Sequence, residues 1–161
     1  MVTLMTKNSG KGSMKNSIRT ALQRTTSGDA AKSSAGMVWR SVLWAGVFGA
    51  AGTLHFVHPK NFDQIVPEGI PGTARQWTYA SGVVELGLAA SIGVATAVPT
   101  LRPYLSSAVA PAAAGFLAAV WPANMKMAWD WRDKDAAKKA IAFARVPLQI
   151  PMIASARKLG S

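Results

Sequence analysis

The sequence contains no cysteine, two histidines and only seven acidic residues. The lack of cysteine excludes a disulfide framework, thiol catalysis and thiolate-held zinc or iron–sulfur centres. Two histidines are too few for a His-rich metal site, so we expect no bound metal. Charged residues make up 16% of the chain, whereas a soluble domain usually carries about 25%.

What is present is positive charge and apolar surface. The net charge is +11, which is typical of proteins that bind nucleic acid or a membrane surface, while half of all residues are hydrophobic. Residues 1–36 hold six of the basic side chains and a single Asp29. This tail is rich in Ser, Thr and Gly and poor in large apolar residues, so its composition predicts a disordered, cytoplasmic segment. One alternative is a short amphipathic helix over residues 14–24 that lies on an anionic membrane surface. An organellar transit peptide is the other.

The rest of the chain, residues 37–161, resolves into four long apolar stretches. They are residues 37–57, 77–98, 105–129 and 136–156. Each has about 20 residues or more, enough for a helix to cross a hydrocarbon core of about 30 Å. A soluble four-helix bundle is the alternative, but its helices would repeat a polar face every 3.6 residues, and the first three stretches do not. The sequence therefore predicts an all-α fold, an integral membrane four-helix bundle that follows a disordered basic tail.

Aromatic and basic residues support this prediction and indicate an orientation. Trp and Tyr side chains mark the ends of the stretches, as expected at membrane interfaces. The basic tail and Arg40 precede the first stretch. Since basic residues next to the first span usually stay inside, we expect a multi-pass protein of the plasma membrane with both termini in the cytoplasm. The tail then needs no nucleic-acid partner, and the lipid bilayer is the expected one.

Ionisable and amide side chains within the apolar stretches are the candidate site. Glu85 in the second stretch and Arg145 in the fourth are expected at similar depth, because both helices would enter from the same side. Isolated charges at that depth cost at least ~2.5–3.5 kcal/mol, so we expect the two to form a pair. His55, Asn124 and Gln149 would face the same outer half of the bundle.

This polar group has two interpretations. It is either a binding cavity formed by His55, Glu85, Asn124, Arg145 and Gln149, or a structural ion pair that fixes how the helices pack. The His55-x-x-His58 spacing also permits a metal site, with Asp63 or Glu68 as further ligands, but Pro59 follows directly and is expected to end the helix.

Several segments resemble the DoxX-like family of small four-helix membrane proteins. They are Gly52–Phe56 with Pro59, Ile65–Pro67 with Pro71, Trp77–Leu86, Trp121–Met125 and Ala144–Gln149. The resemblance spans about residues 40–157 and implies that His55, Glu85, Asn124, Arg145 and Gln149 are the characteristic polar positions.

The resemblance also implies a function. It predicts an accessory subunit of a quinone-linked membrane oxidoreductase, working with other subunits of a membrane complex rather than as an enzyme by itself. A quinone is then a possible ligand, and no covalently bound cofactor is expected. The alternative is a non-catalytic assembly partner with a structural Glu85–Arg145 pair. A small-solute transporter is the weaker third candidate, because no inverted repeat is visible.

Overall fold

The computed structural model describes residues 9–161, and these residues form helices and no strand. The helices are α1 (Ser9–Val57), α2 (Pro59–Asp63), α3 (Ala74–Ala97), α4 (Ala110–Asp130) and α5 (Ala136–Ala156). A short 3₁₀ turn, Pro99–Leu101, and a π-helical turn, Leu105–Val109, connect α3 to α4. The prediction of an all-α fold is confirmed.

The chain divides into two units, Met1–Gly36 and Met37–Ser161. The first unit was predicted to be disordered. Residues 1–8 of it lie outside the described residues, and from Ser9 onward it is helical. The segment contains no proline, so no residue in it forces a helix to end. Its polar composition alone did not predict this helix.

Two helical stretches of the second unit are long and apolar enough to cross a membrane. They are α3 and the continuous stretch Leu105–Asp130, which includes α4. They correspond to the predicted spans 77–98 and 105–129. The other two predicted spans fall on α1 and α5 and do not meet the same measure of length and hydropathy within the described residues. In α5 the reason is its charge, since Lys138, Lys139 and Arg145 all lie on it.

Local sequence signals explain where α3 and α5 begin. The Thr73 side chain accepts from the Gln76 amide while the Gln76 side chain accepts from the Thr73 amide, a reciprocal capping box. Asp135 caps α5 by accepting from the backbone of Lys138. Helix α4 continues through Pro122, and α5 continues through both Pro147 and Pro151.

The hydrophobic core of the second unit lies toward the end that carries the C-terminus. Its large members include Trp44 and Phe48 of α1, Ile92 of α3 and Leu105 before α4. Arg40 lies at the same end, where its Nη1 donates to the carbonyls of Lys158 and Ser161 at 2.7 and 2.9 Å. This packing leaves the opposite half of the unit, where α1 ends and α3 begins, free to form a cavity.

Candidate functional site

A cavity of about 500 Å³ lies between the end of α1, the α2–α3 connection and helices α3, α4 and α5. Its wall is mainly apolar. The larger apolar side chains include Phe62, Ile65, Val84, Phe116, Val120 and Met152. The polar side chains of the wall are His55, Thr78, Ser81, Asn124, Arg145 and Gln149. A mainly apolar wall with a few polar groups is the usual composition of a small-molecule site.

The structure brings together four of the five predicted site residues. His55, Asn124, Arg145 and Gln149 all line this cavity. Glu85 does not line it. Helix α3 contributes Thr78 and Ser81 instead, which the sequence analysis did not select. Thr78 shares the buried face of α3 with Gly82 and Glu85, and its spacing from them, four and seven residues, is the helical signal that could have identified it.

Glu85 contacts His55 from behind the cavity wall. Its Oε2 lies 2.9 Å from Nδ1 of His55, and both side chains are about nine-tenths buried. The same Nδ1 lies 2.8 Å from the carbonyl oxygen of Ala51. Nδ1 carries at most one hydrogen, and that hydrogen is directed to the carbonyl oxygen of Ala51. Oε2 of Glu85 is therefore buried beside the ring without a well-aligned hydrogen-bond donor. Because Nδ1 is occupied on this side, Nε2 is the ring nitrogen left for any other partner.

The predicted pair between Glu85 and Arg145 is not present among the ion pairs of the described residues. Glu85 faces α1, where His55 is its partner. Arg145 lies on the cavity wall, exposed and without a hydrogen bond or ion pair to the described residues. Depth along a helix sets the height of a side chain but not the direction in which it points, and α3 presents Glu85 to α1.

Two glycines bring α1 and α3 close enough for this contact. A Cβ at Gly82 would lie 2.7 Å from Cε2 of Phe56 and 2.8 Å from Cβ of His55. A Cβ at Gly52 would lie 3.0 Å from the carbonyl oxygen of Gly82 and 3.1 Å from Cβ of Glu85. Small residues permit such close helix crossings. The crossing therefore positions both His55 and Glu85.

The two amide side chains of the cavity form a buried chain of hydrogen bonds between α4 and α5. Asn124 donates from Nδ2 to Oε1 of Gln149 at 3.0 Å, and Gln149 donates from Nε2 to the carbonyl of Leu117. One turn away, Trp121 donates from Nε1 to the carbonyl of Val146 at 3.1 Å. These bonds hold the two helices together and leave only part of each amide for a ligand.

The connection from α2 to α3 closes one side of the cavity and is held in place by Asp63. Its carboxylate accepts from Nε and Nη2 of Arg75, the shortest of these bonds being 2.7 Å, and from the hydroxyl of Thr78 at 2.8 Å. The Arg75 guanidinium beside Asp63 holds the pKa of that carboxyl below its usual range. Phe62, the residue before Asp63, stacks on the His55 ring with 3.8 Å between ring centroids.

The spacing of His55 and His58 does not produce a metal site in the described part of the chain. His55 is buried against Glu85, whereas His58 is exposed at the start of α2. Asp63 is engaged by Arg75. No three His, Asp or Glu side chains of the described residues come together in a way that could hold an ion.

Comparison with known sequences identifies a family but no characterised relative. Residues 44–160 match the sequence model of a family described as a domain of unknown function, DUF8561. The match covers more than half of the chain. The chain belongs to the DUF8561 family. No curated protein and no solved structure matches it.

Membership of DUF8561 overturns the predicted resemblance to DoxX-like proteins, which is wrong. The segments that suggested it are short, and Ala, Gly, Val and Pro make up much of them. Such segments recur in unrelated helical proteins, because close helix packing and helix bending favour the same residue types.

The DUF8561 match includes the complete cavity. It begins at Trp44 within α1 and ends at Gly160 after α5, so every residue of the wall lies inside it. The basic tail lies outside it. The cavity is thus part of the segment that defines the family.

Proposed function

We propose that this DUF8561 protein is a membrane-embedded four-helix protein that binds a lipid-soluble small molecule in the cavity between α1, α3, α4 and α5. The single observation that carries the proposal is the cavity itself. Its volume of about 500 Å³ lies within the range of small-molecule sites, about 300–1,000 Å³. Its apolar wall suits a ligand that partitions into lipid.

The outward-facing side chains support placement in a membrane. Large apolar residues are exposed along the helices, among them Val83 and Val94 of α3 and Ile141 and Ile150 of α5, each more than half exposed. Soluble monomers rarely expose extended apolar surfaces of this kind. Together with the two helical stretches that are apolar enough to span, these faces favour lipid contact for all four long helices of the second unit.

Exposed aromatic residues favour the same placement. Trp77 and Trp129 lie at one end of the second unit, and Trp39 and Tyr104 lie at the other, all exposed. Aromatic side chains in two such groups are typical of the two membrane interfaces.

The basic residues support the predicted orientation with both termini inside. Arg40 contacts the C-terminal carbonyls, so the start and the end of the second unit lie on the same side. The basic tail and Arg40 precede the first span in the sequence, and basic residues next to the first span usually set the orientation. We assign the side that carries both ends of the second unit to the cytoplasm.

We propose binding of a lipid-soluble molecule and do not extend the proposal to the oxidoreductase activity that the sequence suggested. The oxidoreductase subunit and its quinone were implied by the DoxX-like resemblance, and no described residue supports them independently. An apolar ring with hydrogen-bonding groups, such as a quinone, remains one member of the class that the cavity suits. An assembly partner is the second candidate, and the buried His55–Glu85 contact at a glycine crossing favours it, because that contact serves helix packing.

Native mass spectrometry of the full chain, purified from membranes in mild detergent, tests the proposal. We expect a non-covalent small-molecule adduct on the wild type. Ala123→Trp should remove it, because Ala123 lies on the cavity wall. Ala90→Trp is the matched control, since Ala90 is exposed on α3 away from the cavity, and it should keep the adduct.

Two results would count against binding. An adduct that persists unchanged in Ala123→Trp would place the ligand elsewhere. A wild type that carries no small molecule but co-purifies with a defined protein would favour the assembly partner.

A further inference from the structure

Arg145 is a cation on the wall of an apolar cavity, and no anion of the described residues balances it. It makes no ion pair with the described residues, and it lies in the middle of α5. An uncompensated charge inside a membrane helix costs at least ~2.5–3.5 kcal/mol. A partner for this charge must therefore come from the solvent, the lipid or a ligand.

Among the acidic side chains that the structure describes, five pair with a basic residue other than Arg145. Glu68 is exposed in the α2–α3 connection and makes no ion pair with the described residues. Glu85, which the sequence suggested as the partner, lies behind the wall against His55.

The other polar groups near Arg145 also suit an acceptor on the ligand. His55 lines the same cavity as Arg145. Its Nδ1 is occupied by Ala51 and Glu85, so a ligand would meet Nε2. The amides of Asn124 and Gln149 bond mainly to each other and to Leu117. The strongest unsatisfied group of the wall is thus a guanidinium, which pairs best with a carboxylate.

We infer that the ligand of the cavity is an apolar molecule with one carboxylate, which pairs with Arg145 while its hydrocarbon body contacts the apolar wall. This inference rests on the proposed function, because it names the chemical class that the same cavity accepts. Arg145 then selects ligands that carry a carboxylate. The apolar side chains of the wall, such as Ile65 and Met152, contact the hydrocarbon part of the ligand and do not distinguish one hydrocarbon from another.

Equilibrium binding to the full chain in lipid nanodiscs at pH 8 tests this inference with two matched pairs of radiolabelled probes. The chain pair is palmitate and 1-hexadecanol, and the ring pair is 2-naphthoate and 2-naphthylmethanol. In at least one pair, we expect the acid to bind about tenfold or more tightly than the alcohol, as one charge-assisted contact provides. The pair that shows this preference identifies the shape of the body.

Variants of Arg145 assign the preference to its charge. Arg145→Met should reduce the acid to the affinity of the alcohol while the alcohol still binds, which also shows that the variant is folded. Arg145→Lys should keep a reduced preference. Arg132→Met is the control outside the cavity, where Arg132 contacts Asp133 and the Trp129 ring, and it should change neither affinity.

The outcomes separate this inference from the proposed function. Equal affinity for acid and alcohol, or an acid preference that survives Arg145→Met, overturns the carboxylate and leaves the cavity as a site for neutral molecules. If none of the four probes binds to the wild type while native mass spectrometry finds no adduct, both the inference and the proposed function fail.

Discussion

The crossing of α1 and α3 at Gly52 and Gly82 provides the most quantitative prediction about the site. A Cβ added at Gly82 would lie 2.8 Å from Cβ of His55, whereas carbon atoms in good contact are about 3.5–4.0 Å apart. The two helices must then separate by about 0.7 Å or more. Phe56 could rotate away from the new methyl group, but the Cβ of His55 is fixed to the backbone and cannot.

The consequence reaches the contact between His55 and Glu85. Separation of the helices would lengthen the 2.9 Å between Nδ1 of His55 and Oε2 of Glu85 and weaken their electrostatic contact. Overpacking of this kind costs about 1–3 kcal/mol. We therefore expect Gly82→Ala to lower the free energy of unfolding by about that amount, measured in detergent micelles by circular dichroism during chemical denaturation.

Gly87→Ala is the matched control on the same helix. A Cβ at Gly87 meets nothing within 4 Å, so this change should be neutral or stabilise the protein by up to about 1 kcal/mol through helix propensity. Equal stability of Gly82→Ala and Gly87→Ala would refute the close crossing and the account of how His55 and Glu85 are positioned.

Two further predictions concern the polar contacts around the cavity. Arg75 lowers the pKa of Asp63. The ion pair therefore stabilises the folded protein fully above the usual carboxyl pKa of about 4, and this stabilisation is lost as the pH falls through the lower pKa of the folded state. We expect the difference in unfolding free energy between wild type and Asp63→Asn, from denaturation at each pH, to be smaller at pH 3 than at pH 7. A difference that stays constant between the two pH values would contradict this prediction. Gln149→Leu should lower the free energy of unfolding by about 1–3 kcal/mol in the same assay, because it leaves the buried Asn124 amide and the Leu117 carbonyl without their partner. Adding Asn124→Leu should restore part of that stability, because it removes the unpaired amide. A double variant that recovers none of it would contradict the chain of hydrogen bonds.

In the second unit, the sequence predicted helices well where a long apolar stretch is bounded by a helix-ending proline or a capping residue. The span predicted at 136–156 is helix α5 with the same bounds, and the one predicted at 77–98 is α3, Ala74–Ala97. Pro99 follows the end of α3, and the capping Asp135 precedes the start of α5. In the first unit no such marker exists, and the polar composition hid a helix that begins at Ser9.

The candidate site could be located from the sequence, but its contacts could not. Polar side chains in apolar helices must face inward, and four of those selected do line one cavity. Their partners depend on which helices are neighbours and on how each helix is rotated. The glycine crossing turns Glu85 toward His55, and the stack of Phe62 on His55 depends on the fold of a connection with no periodic pattern.

Labelling of single cysteines in intact cells tests the central claim, that the second unit spans a membrane with both of its ends on the cytoplasmic side. The chain has no cysteine of its own, so Glu68→Cys, in the exposed α2–α3 connection, and Ser161→Cys, at the C-terminus, can each be read without background. We predict that a membrane-impermeant maleimide labels Glu68→Cys in intact cells and labels Ser161→Cys only after the membrane is permeabilised. Recovery of the protein in the soluble fraction, or the same labelling of both variants before permeabilisation, would contradict the claim.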